Sequence, residues 1–320
     1  MFYYLNKSLP VQLVLIVLLL AWSVFTVVTQ TTVCSAEGQT LFFGALADFW
    51  SKHPVNLKVS IISILLLESL LIARFYSVNR FAENHTYIPV VFFLLMMNAG
   101  GFLVKISPAL FTLVFMTFMV MLTSQEENDR PLKNRIFTSG LLVAIASLID
   151  PVAICSVLFL ILALITNRFS KSKEILIMVF GLLFVYVYVF SVSFFTDSFS
   201  TLSDSLKNLS FFNLFKDFKS LTVFDYVFVV YTVTLVSYLI IQLKLFYDNK
   251  LIVLRKRLVT IHLLMFILIA MLLLSGLPLS SSLLYILLPM TLYFSMLSQI
   301  KRRIIFHDIL IVAFFVLLWL

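Results

Sequence analysis

Charge is what this sequence has least of. Only 12% of its 320 residues are Asp, Glu, Lys or Arg, about half the share of a water-soluble domain. With 62% hydrophobic residues and a mean hydropathy of +1.10, the chain cannot hide its apolar surface in one aqueous core, and its solvent is largely lipid. Glycine and proline are scarce as well, 7 and 8 residues against 34 Phe. That scarcity argues against loop-rich architectures and for continuous helices. Segments alternating with a period of two are missing, which argues against a membrane barrel. Helices are then the remaining way to satisfy backbone groups in lipid. Cysteine is limited to Cys34 and Cys155, one in a loop and one inside an apolar run. A disulfide is therefore not expected, and no CxxC or metal-ligand spacing occurs.

What is present is a series of apolar runs. They cover residues 10–29, 57–76, 87–104, 109–123, two short runs within 136–166, then 175–195, 223–243, 258–275, 282–297 and 304–320. The expectation is a single all-α transmembrane domain over 1–320 with about eleven membrane helices. The first run is longer than a signal-peptide core and reads as a retained span. Two long connections stand out, 30–56 and 196–221. Each carries an amphipathic aromatic stretch, 41–50 and 211–221, suited to the membrane interface, with Trp50 expected at headgroup depth.

The net charge of +8 is no nucleic-acid signal, because Lys and Arg fall in short clusters between the runs, where they set orientation. With the amino terminus inside, 17 of the 23 basic residues lie on the inner side and 6 on the outer. The outer six are Lys52, Lys58, Lys105, Lys207, Lys216 and Lys219. Both long connections then face outward, and eleven spans put the carboxyl terminus outside.

The two runs within 136–166 meet at Asp150 and Pro151. Proline lacks an N–H and disfavours helical geometry in the residue before it. Each run is about 15 residues, short for a bilayer crossing. A helical hairpin is expected, with its turn below the outer surface and buried in protein, since lipid-exposed irregular backbone is not tolerated.

Few residues offer chemistry. Glu68 lies mid-span, where a charge is costly, and reads as a hydrogen-bonded packing residue; Arg74 is poorly spaced to pair with it. Asp225, His262 and Asp308 lie within one or two turns of span ends and read as structural. On the outer side Glu37, Asp48, Lys52 and His53 come from the first long connection. Lys105 follows the third run, Asp150 caps the hairpin, and Asp197 and Asp204 open the second connection. These could converge on one outward cavity. No zinc spacing or nucleophilic triad is present.

The order of elements resembles the membrane glycosyltransferases of the GT-C fold, which use polyprenyl-phosphate-linked sugars. Those proteins begin with one span and a large outer loop holding an interfacial helix and a catalytic acid. A hairpin with a small residue, an aliphatic run, a polar residue before Pro and a second aliphatic run comes later. Here the hairpin is carried by Ser139, Gly140 and Leu141 through Ile149, Asp150, Pro151 and Val152, and the similarity covers about residues 10–195. The resemblance implies Glu37 or Asp48 as the catalytic base, and Lys52, His53, Lys105 and Asp150 as substrate-binding residues. It implies no cofactor beyond a divalent ion that the chemistry permits and does not require. The GT-C enzymes usually place an acidic pair just after the first span, whereas here Glu37 stands alone eight residues past it. The chain also resembles a family of bacterial polytopic inner-membrane proteins with no known activity.

Two other readings compete. A non-catalytic membrane subunit of a cell-envelope complex, with membrane-protein partners, would explain the lack of a sharp acidic motif. A transporter would show an inverted repeat with broken helices at matching positions; only the run around Asn98, Ala99, Gly100 and Gly101 is interrupted in this way. Reporter fusions at Glu127 and Lys256 are expected to report the cytoplasm, and one at Ser205 the outer side. A Lys256 fusion reporting the outer side overturns this map.

Overall fold

In the computed structural model the described residues are 2–5, 7–31, 33–34, 41–81, 86–124, 132–166, 172–196, 223–247, 252–274, 279–300 and 304–319. The first half holds α1 (Phe2–Leu5), α2 (Leu9–Thr29), β1 (Val33–Cys34), α3 (Leu41–Lys52), α4 (Pro54–Val78), α5 (Ile88–Ala99), β2 (Lys105–Ile106) and α6 (Pro108–Ser124). After it come α7 (Leu132–Ile149), a 3-10 turn (Pro151–Cys155), α8 (Ser156–Thr166) and α9 (Ser172–Phe195). The chain closes with α10 (Val223–Tyr247), α11 (Ile252–Leu274), α12 (Leu279–Leu297) and α13 (Ile304–Trp319). Prolines mark the starts. Pro10, Pro54, Pro89, Pro108 and Pro151 all sit in the first turn of a helix, where a missing N–H costs nothing and the fixed φ is already helical.

Among the described residues, four helices are long and apolar enough to cross a membrane. They are α2, α4, α9 and the part of α10 from Tyr226 to Lys244. Shorter apolar helices include α5, α6, the segment Pro151–Thr166, and parts of α12 and α13. α2 and α9 lie at the periphery and leave large apolar side chains uncovered, such as Trp22 at 65% and Phe184 at 60% exposure. Faces of this kind suit lipid, not water.

Hydrogen bonds between helix ends give the helices their directions. Gln12, near the start of α2, accepts from the Tyr87 N–H at 2.7 Å and from Thr86 at 3.2 Å, just ahead of α5. Asn98, near the end of α5, donates to Ser23 of α2 at 2.8 Å. α2 and α5 therefore run parallel. Asn79, just past α4, donates to Ser124 at the end of α6 at 3.5 Å. Its carbonyl accepts from Arg257 of α11 at 2.7 Å, and Gln299, just past α12, donates to Tyr76 of α4. At the opposite end Lys58 of α4 donates to the Val28 carbonyl in the last turn of α2 at 2.7 Å. The same end holds the β1–β2 pair and a bond between Thr112 of α6 and Tyr285 of α12. The helices thus alternate in direction between an Asn79 end and an Asp150 end, with α3 set aside at the latter.

Three features differ from the sequence expectation. The run 87–104 is not one helix: α5 stops at Ala99, Gly101 takes a left-handed φ of 63°, and Lys105–Ile106 pairs in parallel with Val33–Cys34. The two glycines release the helix, and the freed backbone finds its partners in the segment after α2. Trp50 does not point away from the protein: it is buried, 5% exposed, and stacked on Phe111 with ring centroids 4.9 Å apart. The hairpin breaks at Asp150 as expected, yet its arms make few contacts with each other. α7 packs mainly on α9 and α6, and α8 on α11. Glycine explains the first pairing: a Cβ on Gly140 would lie 2.2 Å from the Met178 carbonyl oxygen, and one on Gly181 2.3 Å from that of Phe137. Bare backbones let two membrane helices approach this closely. The amphipathic stretch 211–221 lies outside the described residues.

Gly140→Ala and Gly181→Ala are expected to destabilise the protein by about 1–3 kcal/mol each, the usual cost of overpacking. Gly44→Ala on α3, where a Cβ meets nothing within 4 Å, is expected to be neutral or stabilising. Thermal unfolding of the detergent-solubilised chain measures all three, and equal melting temperatures would refute the close crossing.

Candidate functional site

The interruption at Pro151 places a polar cluster in the interior. Asp150 is extended (φ −134°, ψ 113°) and caps the 3-10 turn, its Oδ1 accepting from the Val152 N–H at 3.1 Å. Tyr285 of α12 donates its hydroxyl to Oδ2 at 2.7 Å. The Tyr285 oxygen also lies 2.8 Å from the Thr112 hydroxyl of α6, which has a second partner in the Ala109 carbonyl at 2.9 Å. Asp150, Tyr285 and Thr112 are all buried. Each carboxylate oxygen has a donor, as a buried acid requires. The cluster fastens α6, the α7 turn and α12 together.

The other candidate residues lie on or beside α3. This helix buries Phe43, Ala47 and Trp50 at helical spacing, with Phe43 and Trp50 both packed against Phe111. Its second stripe, Phe42, Leu46 and Phe49, is exposed at 37%, 37% and 48%. Asp48 and Lys52 are exposed on the same helix, and His53 is exposed just past its end, its ring 5.1 Å from that of Phe49. α3 therefore presents a carboxylate, an ammonium and an imidazole beside an apolar strip.

The sequence-derived candidates separate into two groups. Asp48, Lys52 and His53 come together at the surface around α3. Asp150 stands apart in the core, its hydrogen-bond partners being Tyr285 and Val152. The backbone of Lys105 lies in β2, opposite Val33. Glu37, Asp197 and Asp204 lie outside the described residues. Among the described residues no group of three His, Cys, Asp or Glu side chains is placed to hold a metal ion. Glu68 is buried; Thr117 of α6 donates to its Oε1, while its Oε2 has no hydrogen-bond partner among the described residues. Tyr285 and Thr112 were not picked out from the sequence. The available signal was their position: each is a polar group a few residues inside an apolar run, near the end that the Asp150 turn reaches.

Removing the Tyr285 hydroxyl leaves a buried carboxylate oxygen without its donor. Tyr285→Phe is expected to cost about 1–3 kcal/mol. A double-mutant cycle with Asp150→Asn should show a coupling of about 0.5–3 kcal/mol, since contacting polar groups are not additive. Unfolding in detergent gives these values, and strictly additive losses would show that the two side chains do not interact.

No curated protein and no solved structure matches the chain. One family model does match, over residues 38–320. That range takes in α3 with its two stripes and every element from there on, including the whole Asp150–Tyr285–Thr112 cluster. The chain belongs to this family, described as a family of unknown function (DUF6427).

Proposed function

We propose that the protein is an inner-membrane protein with eleven crossings and a cytoplasmic amino terminus, and that its Asp150 end faces outward and acts on a lipid-linked sugar in the manner of a GT-C-like glycosyltransferase. The observation that carries this reading is α3. One stripe of the helix anchors it to the bundle, while Phe42, Leu46 and Phe49 remain exposed beside Asp48 and His53. A polyprenyl chain lying along that strip would bring its phosphate to the charged residues at the end of the helix. The alternating helix directions and the 17-to-6 split of basic residues support the orientation.

In this reading Asp48 or Glu37 takes the proton from an acceptor hydroxyl. The acceptor oxygen then bonds to the anomeric carbon, and the bond from that carbon to the phosphate oxygen breaks. The electron pair leaves with the lipid phosphate, which Lys52, His53 and Lys105 stabilise. Asp150 is assigned to the framework, because each of its oxygens is held by a donor from within the bundle.

The internal bonding of Asp150 favours a second reading, a non-catalytic subunit of an envelope complex. Among the described candidate acids, the buried one, Asp150, is bonded to Tyr285 and Val152 and ties elements of the bundle together. Glu37→Gln and Asp48→Asn, singly and combined, separate the two readings in a complementation assay at matched expression. Loss of the general base is expected to lower turnover by about 10²–10⁴-fold, so the double variant should fail to complement. Full complementation by the double variant removes the enzymatic reading and leaves the subunit.

A further inference from the structure

Glu68 lies about halfway along α4, 1% exposed, with its carboxyl turned to α6. Thr117 of α6 donates its hydroxyl to Oε1. Oε2 is buried and has no hydrogen-bond partner among the described residues. A carboxylate offers about four lone-pair sites and needs donors for them. Asp150 has a donor on each oxygen, whereas Glu68 has that of Thr117 alone among the described residues.

No described counter-charge stands beside it either. Helices α2, α5 and α6, which pack against α4, contain no charged or titratable side chain. α3 also packs on α4, and its Asp48 and Lys52 are exposed at the Asp150 end. On α4 itself Lys58 is about 15 Å from Glu68 along the axis, and its ammonium is bonded to the Val28 carbonyl. Arg74, nearly two turns on, is exposed. The guanidinium of Arg257 is held at the Asn79 carbonyl, past the end of α4. Beside Glu68 the same helix exposes Leu66, Leu67 and Leu70, as a lipid-facing helix does. A carboxylate in this position would be buried next to lipid with one hydrogen bond and no cation, and membrane interiors do not tolerate a charge so poorly matched. A neutral carboxyl removes the charge. Thr117 then serves the carbonyl oxygen Oε1, and Oε2 carries the proton.

We propose that Glu68 is a proton-binding site in the seam between α4 and α6, which closes over the carboxyl only while the proton is bound. The ligand is the proton itself, bonded to Oε2. Its release to water leaves an uncompensated negative charge in the seam, so deprotonation and the parting of α4 from α6 are one event. The site is separate from the chemistry proposed for α3 and uses none of its residues.

Infrared difference spectra of the full chain in detergent near neutral pH, parent against Glu68→Gln, test the bound proton. The variant is expected to lose one protonated-carboxyl C=O stretch. Thr117→Val keeps the acid and removes its donor. It should retain that band and shift it to higher frequency, as a carbonyl does on losing a hydrogen bond, and it carries the test should Glu68→Gln fail to fold. Thermal unfolding tests the coupling. The bundle keeps a proton that the unfolded chain gives up. Raising the pH from about 5 to about 8 should therefore lower the melting temperature of the parent by more than that of Glu68→Gln, which has no proton to lose. Loss of carboxylate bands in Glu68→Gln, or a difference spectrum without the protonated stretch, overturns the proposal, as does absence of the band in Thr117→Val. An equal fall in melting temperature in parent and Glu68→Gln overturns it too.

Discussion

A polar group carried into an apolar helix has to find its partner inside the protein, and this requirement organises the whole bundle. Where lipid surrounds the helices, packing alone discriminates poorly between one apolar neighbour and another. The scattered polar side chains supply the discrimination. Gln12, Asn98, Asn79 and Tyr285 each bond to a residue on or beside another helix. Glu68 and Thr117 do the same halfway along α4 and α6. The register of the bundle is set by a small number of hydrogen bonds whose loss would leave buried groups unsatisfied, while the aromatic contacts fill the space between them.

The bonds are concentrated near the two ends of the helices, and the two ends differ in character. At the Asn79 end the partners include Arg257, and the outlying cations are left facing outward. At the Asp150 end a carboxylate is closed off by Tyr285 and Val152, and the exposed chemistry moves outward to α3. That helix belongs to the framework on one side and to the surroundings on the other. The burial of Trp50 against Phe111 makes this division possible: a tryptophan that anchors the helix to protein frees the opposite stripe for something apolar that the protein does not itself contain.

Much of this architecture was legible in the sequence, because the underlying physics is local. A proline after an acid breaks a helix wherever it occurs, so the turn at Asp150 could be read directly. The same holds for the starts at Pro10, Pro54 and Pro108, and for the apolar runs, each of which carries a helix. Sequence reading failed where the outcome depends on contacts between distant segments. Tyr285 lies 135 positions from Asp150, and nothing in either neighbourhood names the other. The inward turn of Trp50 depends on Phe111 being there to receive it. The pair Gly140 and Gly181 could be seen as small residues in apolar runs, but proximity in sequence favoured α8 as the partner of α7. The strand pair of Val33 and Lys105 gave no sign at all, since two residues carry no period. For the site, the residues around α3 could be grouped from sequence because they are neighbours on one helix. The separation of Asp150 from them could not.

The crossing of α7 with α9 also bears on how the protein is made. Two parallel helices cannot be successive segments of one chain; a third must carry the chain back between them, and here that is α8. When α7 leaves the ribosome, the surface that Gly140 opens has no occupant, and none can arrive until α8 and α9 have followed. Membrane insertion must therefore hold α7 with one flank unfilled, supported by α6, and then admit α9 from outside the growing bundle. The groove in α7 is a vacancy kept for a later part of the same chain, so the order of synthesis and the order of assembly differ at this point.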